Sequence, residues 1–364
     1  MNFKYVIVGA GISGMTMAER IASQLGDPVL VVEKRGHIGG NCYDRYTKDG
    51  ILIHQYGPHI FHTQSKQVFD YLSQFTQFDT YQHRVLTYVD GTLMPMPICR
   101  DTLNMLFGMS LSNDEVEEFL EKIRVKGLPI ETSADVVLSR AGETIYEKFF
   151  KEYTKKQWDA YPDQLDPSVI SRVPIRSNSD RRYFTDQYQG MPKGGYTAMF
   201  ERMADHPNIK LLLHTNYQEI VGQIQFEKLI YCGPIDEYFD FRLGRLKYRS
   251  VRLEFETLAQ EEFQPAAVVN YPNDYDFTRI TEYKKLTGQQ GSMTVISREY
   301  PTWEGEPYYP VPMEEQRALY EKYAALAEKE RDVLFLGRLG QYRYYNMDAA
   351  VKAALDMFEQ QVRK

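Results

Sequence analysis

Several groups of residues in this 364-residue chain have types and spacings that could do chemistry. The first is Gly9-Ala10-Gly11-Ile12-Ser13-Gly14, with the carboxylate of Glu33 nineteen residues beyond the last glycine. Gly9 permits a tight turn, Gly11 lets a diphosphate approach the backbone, and Gly14 lets helix and strand pack closely. Glu33 would accept hydrogen bonds from ribose hydroxyls. The second group is Arg172, Arg176, Arg181 and Arg182, in a segment broken by Pro162, Pro167 and Pro174. Planar guanidinium forks match phosphate oxygens, and a proline-limited hinge suits a lid over an anion. Composition leaves a solvated basic loop equally open. The third is His54, His59 and His62 around Gly57-Pro58. No carboxylate or cysteine stands at ligand spacing, so the expectation is no metal; hydrogen bonding within the fold or contact with a cofactor ring remains. The fourth is Phe149 and Tyr153, which share a helix face at i,i+4 and suit either a core or a ledge for a nucleobase.

These residues need elements to position them. Residues 3–8 read as a buried strand stopped by glycine, and Met17, Ile21 and Leu25 recur at helical spacing. A second strand, Val29 to Glu33, ends in the carboxylate. Strand, glycines, helix, strand and acid in register form a dinucleotide fingerprint, with the diphosphate on a helix N-terminus. The pair Gly39-Gly40 after the acidic strand end resembles the glutathione-reductase-like FAD class, which favours FAD over NAD. Near the C-terminus, Asp332 to Gly340 reads as a strand entering a glycine turn, and Met347 to Val362 as a helix with Val351, Leu355 and Phe358 on one face. Residues 113–126 and 134–157 read as helices, 79–99 and 245–300 as antiparallel strands, and 209–213 with 228–232 as strands returning to the cofactor sheet. The expected fold class is α/β: a Rossmann-like FAD-binding domain with an inserted helical domain and an antiparallel β-sheet domain. The expected boundaries are 1–78, 190–236 and 328–364 for the first, 100–162 for the second, and 79–99, 163–189 and 237–327 for the third.

Composition narrows the functional classes. A net charge of −7 argues against a general nucleic-acid binder, so any phosphate must be held by local arginines. No apolar run reaches the length of a membrane span. The chain opens directly on a strand-like stretch, without the charged and apolar regions of a signal peptide. Cys42, Cys99 and Cys232 are odd in number and widely spaced, which suits a reducing cytoplasm. The 28 tyrosines suit a wet cleft for a sugar-like ligand, or a tyrosine-rich core.

The segments YGPHIFHT, YTKKQW, RVPIR…RYF, QGMPKGGYT, CGPIDEYFDFRLGRLKYRS, FTRITE, PYYPV and GRLGQYRYYNMD, in this order, resemble the bacterial UDP-galactopyranose mutase family over nearly the whole chain. The resemblance implies a cytoplasmic, homodimeric FAD isomerase that interconverts UDP-galactopyranose and UDP-galactofuranose for cell-surface polysaccharide synthesis. It implies covalent catalysis by N5 of reduced FAD, with electrons from NADPH or NADH. It places uridine near Phe149, Tyr153, Thr154 and Trp158, and the diphosphate between Arg172 and Arg279. Tyr183, Tyr309, Tyr344 and Asn270 would surround it, with His83 near the sugar. His59, Ile60, His62, Arg338, Tyr345, Asn346, Met347 and Asp348 would border the flavin, His62 being counted with the two arginines as catalytic. Ser13, Lys34, Asn41, His214 and Thr215 complete the expected cofactor contacts.

Some positions depart from the family pattern. Asn346 stands where aspartate is frequent, His83 where some members have asparagine, and the stretch RSNSDRRYF is more basic than its counterparts. A related mutase acting on UDP-N-acetylgalactosamine or dTDP-fucose stays open, as do an amine-oxidase-like or protoporphyrinogen-oxidase-like flavoenzyme and a non-catalytic nucleotide-sugar binder.

Overall fold

The computed structural model describes residues 2–363. Its first layer is a parallel five-stranded sheet in the order Ile209–Leu212, Val29–Val32, Asn2–Val8, Gln225–Tyr231, Val333–Phe335. Both faces are covered. Tyr5 and Ile7 point into a core shared with the helices Ile12–Arg20, Tyr196–Ala204 and Met347–Met357, while Val6, Leu30 and Val32 pack on the other side with Tyr323 and Phe239. Burial on two faces explains why Val29–Val32 is apolar throughout rather than alternating. The helix Glu314–Ala327, expected within the sheet domain, instead brings Tyr323 onto this parallel sheet.

The second sheet has seven strands, ordered Tyr309–Pro310, Tyr248–Leu258, Thr294–Thr302, Arg279–Glu282, Val268–Asn270, Val85–Val89, Thr92–Met96. Its neighbours are antiparallel except Val268–Asn270 beside Val85–Val89, which is parallel. Those two strands are not joined by a hairpin; a long stretch of chain separates them, so nothing imposes reversal. A helical layer follows Thr92–Met96: Arg100–Phe107, Asn113–Ile123, Ser133–Ile145, a π-helical turn Tyr146–Lys151, and Glu152–Trp158. Ser112 with Glu115, and Thr132 with Asp135, close capping boxes at two of these starts. The helix expected over 134–157 is interrupted at Gly142, where φ is 78° and a Cβ would lie 2.2 Å from the Ile123 carbonyl oxygen. Glycine is required there so that neighbouring helices can touch through backbone.

Residues 163–187, grouped in the sequence reading with the sheet, contain no strand of their own beyond an isolated bridge from Ile175 to Ile98. They carry the short helix Ser168–Ser171 and pack Val169, Ile170 and Val173 into the core of the helical layer. A small third sheet orders Phe61–Thr63, Tyr188–Pro192 and Phe78–Thr80, and connects this segment to the histidine loop.

Candidate active site

The carboxyl ends of Asn2–Val8, Val29–Val32 and Gln225–Tyr231 open on one groove, lined by Val8, Gly9, Val32, Glu33, Tyr231 and Cys232. This is where parallel α/β sheets bind ligands. Gly9 has φ of 103°, and a Cβ on Gly14 would sit 2.0 Å from the Gly9 carbonyl oxygen. A Cβ on Gly40 would lie 2.8 Å from Gly11 Cα, so the two glycine turns meet backbone to backbone. The helix Ile12–Arg20 starts at Gly11 without a side-chain cap, which leaves its first-turn N–H groups available to an anion. Glu33, 7% exposed, accepts the N–H groups of Ala10 at 2.8 Å and Arg35 at 2.9 Å. A carboxylate has about four lone-pair sites, so acceptor capacity remains for ribose hydroxyls. The close glycine contacts and the half-used carboxylate fit a dinucleotide.

Ser13, Lys34, Gly39, Asn41, Thr215, His59, Arg338, Tyr345, Asn346 and Met347 also line the groove. His214 does not; its N–H donates to the Arg35 carbonyl at 3.0 Å, and its ring fills the space where Gly36 would carry a Cβ. It supports the turn after Glu33 from behind. Asp348 stands back as well, accepting the Thr63 hydroxyl at 3.0 Å. Ile60 faces the adjoining cleft rather than the groove.

That cleft has a volume of about 940 Å³. Strand register builds its floor. Thr87 is opposite Asn270, Asn270 opposite Arg279, and Arg279 opposite Glu299, so these four lie in one row across the sheet. His83, Val85 and Val268 line the same cavity. The helical layer contributes Phe149, Tyr153, Thr154 and Trp158; the irregular segment contributes Arg172 and Tyr183; Tyr309 and Tyr344 stack on each other at 5.4 Å. Phe149 belongs to the helical core and to the cleft wall at once. Thus the residues expected around the nucleotide sugar share one cavity.

Arg279 donates from Nη2 to the Tyr153 hydroxyl at 2.8 Å, and its Nε lies 3.2 Å from Glu299 Oε1. Burial opposes its charge, but Glu299 and Tyr153 outweigh burial and raise its pKa, so it is a fixed cation. Arg172 places its guanidinium carbon 4.6 Å from the centre of the Tyr344 ring. Burial pushes the Tyr344 hydroxyl up, yet Arg172, Arg338 and Arg279 together bring it below the ordinary tyrosine value. Burial lifts Tyr153 to about 12 and lowers His59 and His83 to about 3 each, so both histidines are neutral. His59 and His83 therefore add nothing to the positive charge that the guanidinium groups bring to the cleft. Arg181 pairs with Asp101 at 2.6 Å and Arg182 with Asp180 at 2.7 Å, away from the cavity; Arg176 borders it but donates to the Asp180 and Arg182 carbonyls.

Groove and cleft meet at His59, Arg338, Asn346 and Met347, which line both. Arg338 is held there by the carbonyls of Tyr308 at 3.1 Å and Tyr345 at 2.6 Å. Sequence reasoning missed Thr87 and Asp186 in the cleft, Glu299 as the buried partner of Arg279, and Cys232-Gly233-Pro234 and Glu306 in the groove. Glu299 was reachable in principle, because a buried arginine requires a counter-charge; the others follow only from register and loop packing.

Residues 148–344 match the family described as UDP-galactopyranose mutase, and residues 7–75 match the NAD(P)-binding Rossmann-like domain. The chain is 40% identical to a probable UDP-galactopyranose mutase of Klebsiella pneumoniae, covering 97% of this chain and 93% of that one. It is 33% identical to the dTDP-fucopyranose mutase of Escherichia coli, with 97% of each covered. Among solved structures it resembles a reduced UDP-galactopyranose mutase, with a TM-score of 0.79 at 17% identity over 99% of this chain and 96% of that one. Among the described residues no helix is long and apolar enough to cross a membrane.

Proposed function

Because the chain belongs to the UDP-galactopyranose mutase family, we propose that it interconverts UDP-galactopyranose and UDP-galactofuranose with reduced FAD in the groove, and that it does so in the cytoplasm as a homodimer supplied with electrons by NADPH or NADH. The observation that carries this reading is the meeting of the two cavities at His59, Arg338, Asn346 and Met347. A flavin held by the glycine turns and Glu33 would present its ring at that junction, and a nucleotide sugar in the cleft would present its anomeric carbon to the same place. When bound and reduced, FAD supplies an electron-rich ring nitrogen able to act as nucleophile at that carbon.

The side chains do the rest. Phe149, Tyr153 and Trp158 provide flat walls for the base, with Thr154 between them as a hydrogen-bonding group. Arg172 and Arg279 hold the diphosphate while its bond to the sugar breaks, and they stabilise the charge it acquires. Arg279 is well suited, since Tyr153 and Glu299 fix its plane before the substrate arrives. Tyr183, Tyr309, Tyr344 and Asn270 add donors around the phosphates. Neutral His59 and His83 bring no further cation that would compete for the diphosphate. The arginines also keep the departed nucleotide in place, ready to return to the rearranged sugar.

The test is to reduce the purified holoprotein with dithionite and incubate it with UDP-galactofuranose, UDP-N-acetylgalactosamine and dTDP-fucose, separating the products by chromatography. Conversion of UDP-galactofuranose, dependent on reductant and without net redox product, is expected. Preference for dTDP-fucose would assign the second substrate, as the 33% identity to a dTDP-fucopyranose mutase allows. Flavin bleaching by substrate with peroxide formed in air would replace the mutase reading by an oxidase.

A further inference from the structure

We propose that His62 and Asp186 form a proton relay at the sugar end of the cleft, His62 acting as the acid–base and Asp186 as its positioning residue. The proposal rests on the isomerase reading above and adds to it the route of the proton that a change of ring size must move.

His62 lies on Phe61–Thr63, paired with Gln189 of Tyr188–Pro192, and Asp186 lies just before that second strand. The His62 Nδ1 is 2.8 Å from Asp186 Oδ2. An ionised carboxylate only accepts, so the proton of the neutral imidazole is on Nδ1 and the Nε2 lone pair is free. Nε2 is not among the buried unpartnered atoms and has no protein hydrogen bond among the described residues. The ring is held flat against Phe184, centroids 3.6 Å apart and planes 11° apart, and the Asp186 carbonyl accepts from the Gln189 amide at 3.0 Å. Tautomer and plane are thus both set before any ligand binds.

Placement agrees with this role. His62, Phe184 and Asp186 all line the cleft. Thr63, next in the chain, donates to Asp348, two residues from Asn346 at the junction of the cavities. The other histidines nearby lack a carboxylate partner: His83 Nδ1 meets the Tyr81 hydroxyl at 3.1 Å, and His59 Nδ1 meets the Gly57 carbonyl at 2.8 Å.

The proton count closes. In the pyranose-to-furanose direction the free Nε2 lone pair takes the proton of the 4-hydroxyl; the bond from C1 to O5 breaks with its electron pair on O5, and O5 receives that proton from Nε2. The 4-oxygen, left with its electron pair, then bonds C1. One proton moves from O4 to O5, the imidazole ends as it began, and nothing is oxidised or reduced. While the proton is in transit, His62 Nδ1–H donates to Asp186 as a charge-assisted hydrogen bond.

The test compares His62→Gln, His62→Ala and Asp186→Asn holoenzymes with the wild type, after confirming FAD content by absorbance and UDP affinity by titration. General acid–base groups contribute about 10²–10⁴-fold, so kcat should fall at least about 10²-fold in both His62 variants while KM changes little. Added imidazole should restore part of the turnover of His62→Ala, which a purely structural role would not allow. In Asp186→Asn, nitrogen NMR of labelled imidazole should show loss of the single Nδ1–H tautomer together with the fall in kcat. A His62→Gln enzyme within about threefold of wild type, or a His62→Ala enzyme not rescued by imidazole, overturns the relay. A wild type inert toward every nucleotide sugar overturns the underlying reading of the function instead.

Discussion

Replacing the two cleft arginines separately should separate catalysis from stability. Arg172 is exposed in the cleft and stacks on Tyr344, with no carboxylate partner among the described residues, whereas Arg279 neutralises Glu299, which is only 4% exposed. Losing one preorganised charged donor at a developing anion costs about 3 kcal/mol of transition-state stabilisation, or about 150-fold in kcat/KM. Arg172→Ala should show that loss with unchanged FAD content and unchanged Tm. Arg279→Ala should show the same loss plus destabilisation. Removing one partner of a fully buried pair costs about 3–5 kcal/mol. The Arg279 side chain keeps 27% of its exposure, so water screens part of this, and about 1–2 kcal/mol is expected, a Tm lower by about 1–3 °C for a chain of this length. Adding Glu299→Gln to Arg279→Ala should recover most of the Tm and none of the turnover. Initial rates with dithionite-reduced enzyme and differential scanning calorimetry give the two readouts. Near-normal turnover in either arginine variant, or an Arg279→Ala protein as stable as wild type, would refute the reasoning.

Other consequences are open to direct measurement. Burial holds His54 at about 4 and His83 at about 3, below the unfolded value near 6.5, so the unfolded chain takes up their protons first. Their contribution is complete above pH 6.5 and declines as pH falls toward 4, by about 2 kcal/mol each at pH 5; urea titrations at pH 7 and pH 5 should differ accordingly, and equal midpoints would contradict the burial argument. Gly14→Ala drives a Cβ to 2.0 Å from the Gly9 carbonyl oxygen, so the variant should purify without yellow colour or not fold at all; a normally flavinated Gly14→Ala would disprove the fit of the groove. Glu306 pairs with Lys34 at 2.7 Å across the mouth of that groove. Glu306→Gln should speed FAD dissociation severalfold at low salt and little at high salt, read by the recovery of flavin fluorescence.

Much of the cofactor half was legible because its signals are local. Gly9, Gly11, Gly14 and Glu33 are constrained by their own turn, and Val29–Val32 shows its double burial in composition. His214 misled for the opposite reason: it follows a returning strand near the groove, but its ring is consumed in packing against Gly36. The arginine-rich segment was similarly ambiguous. Arg172 enters the cleft while Arg181 turns to Asp101, a partner 80 positions earlier that no local pattern indicates.

What the sequence determined by itself was the family and the dinucleotide fingerprint, and it singled out the residues proposed to hold a nucleotide sugar, since these depend on residue type and short spacing. The tertiary structure alone decided that Thr87, Asn270, Arg279 and Glu299 form one row, that Gly142 breaks a helix, and that His62 meets Asp186. Those relations come from strand register and close backbone contact between segments far apart in the chain, and such contacts leave no periodic trace in the residues that make them.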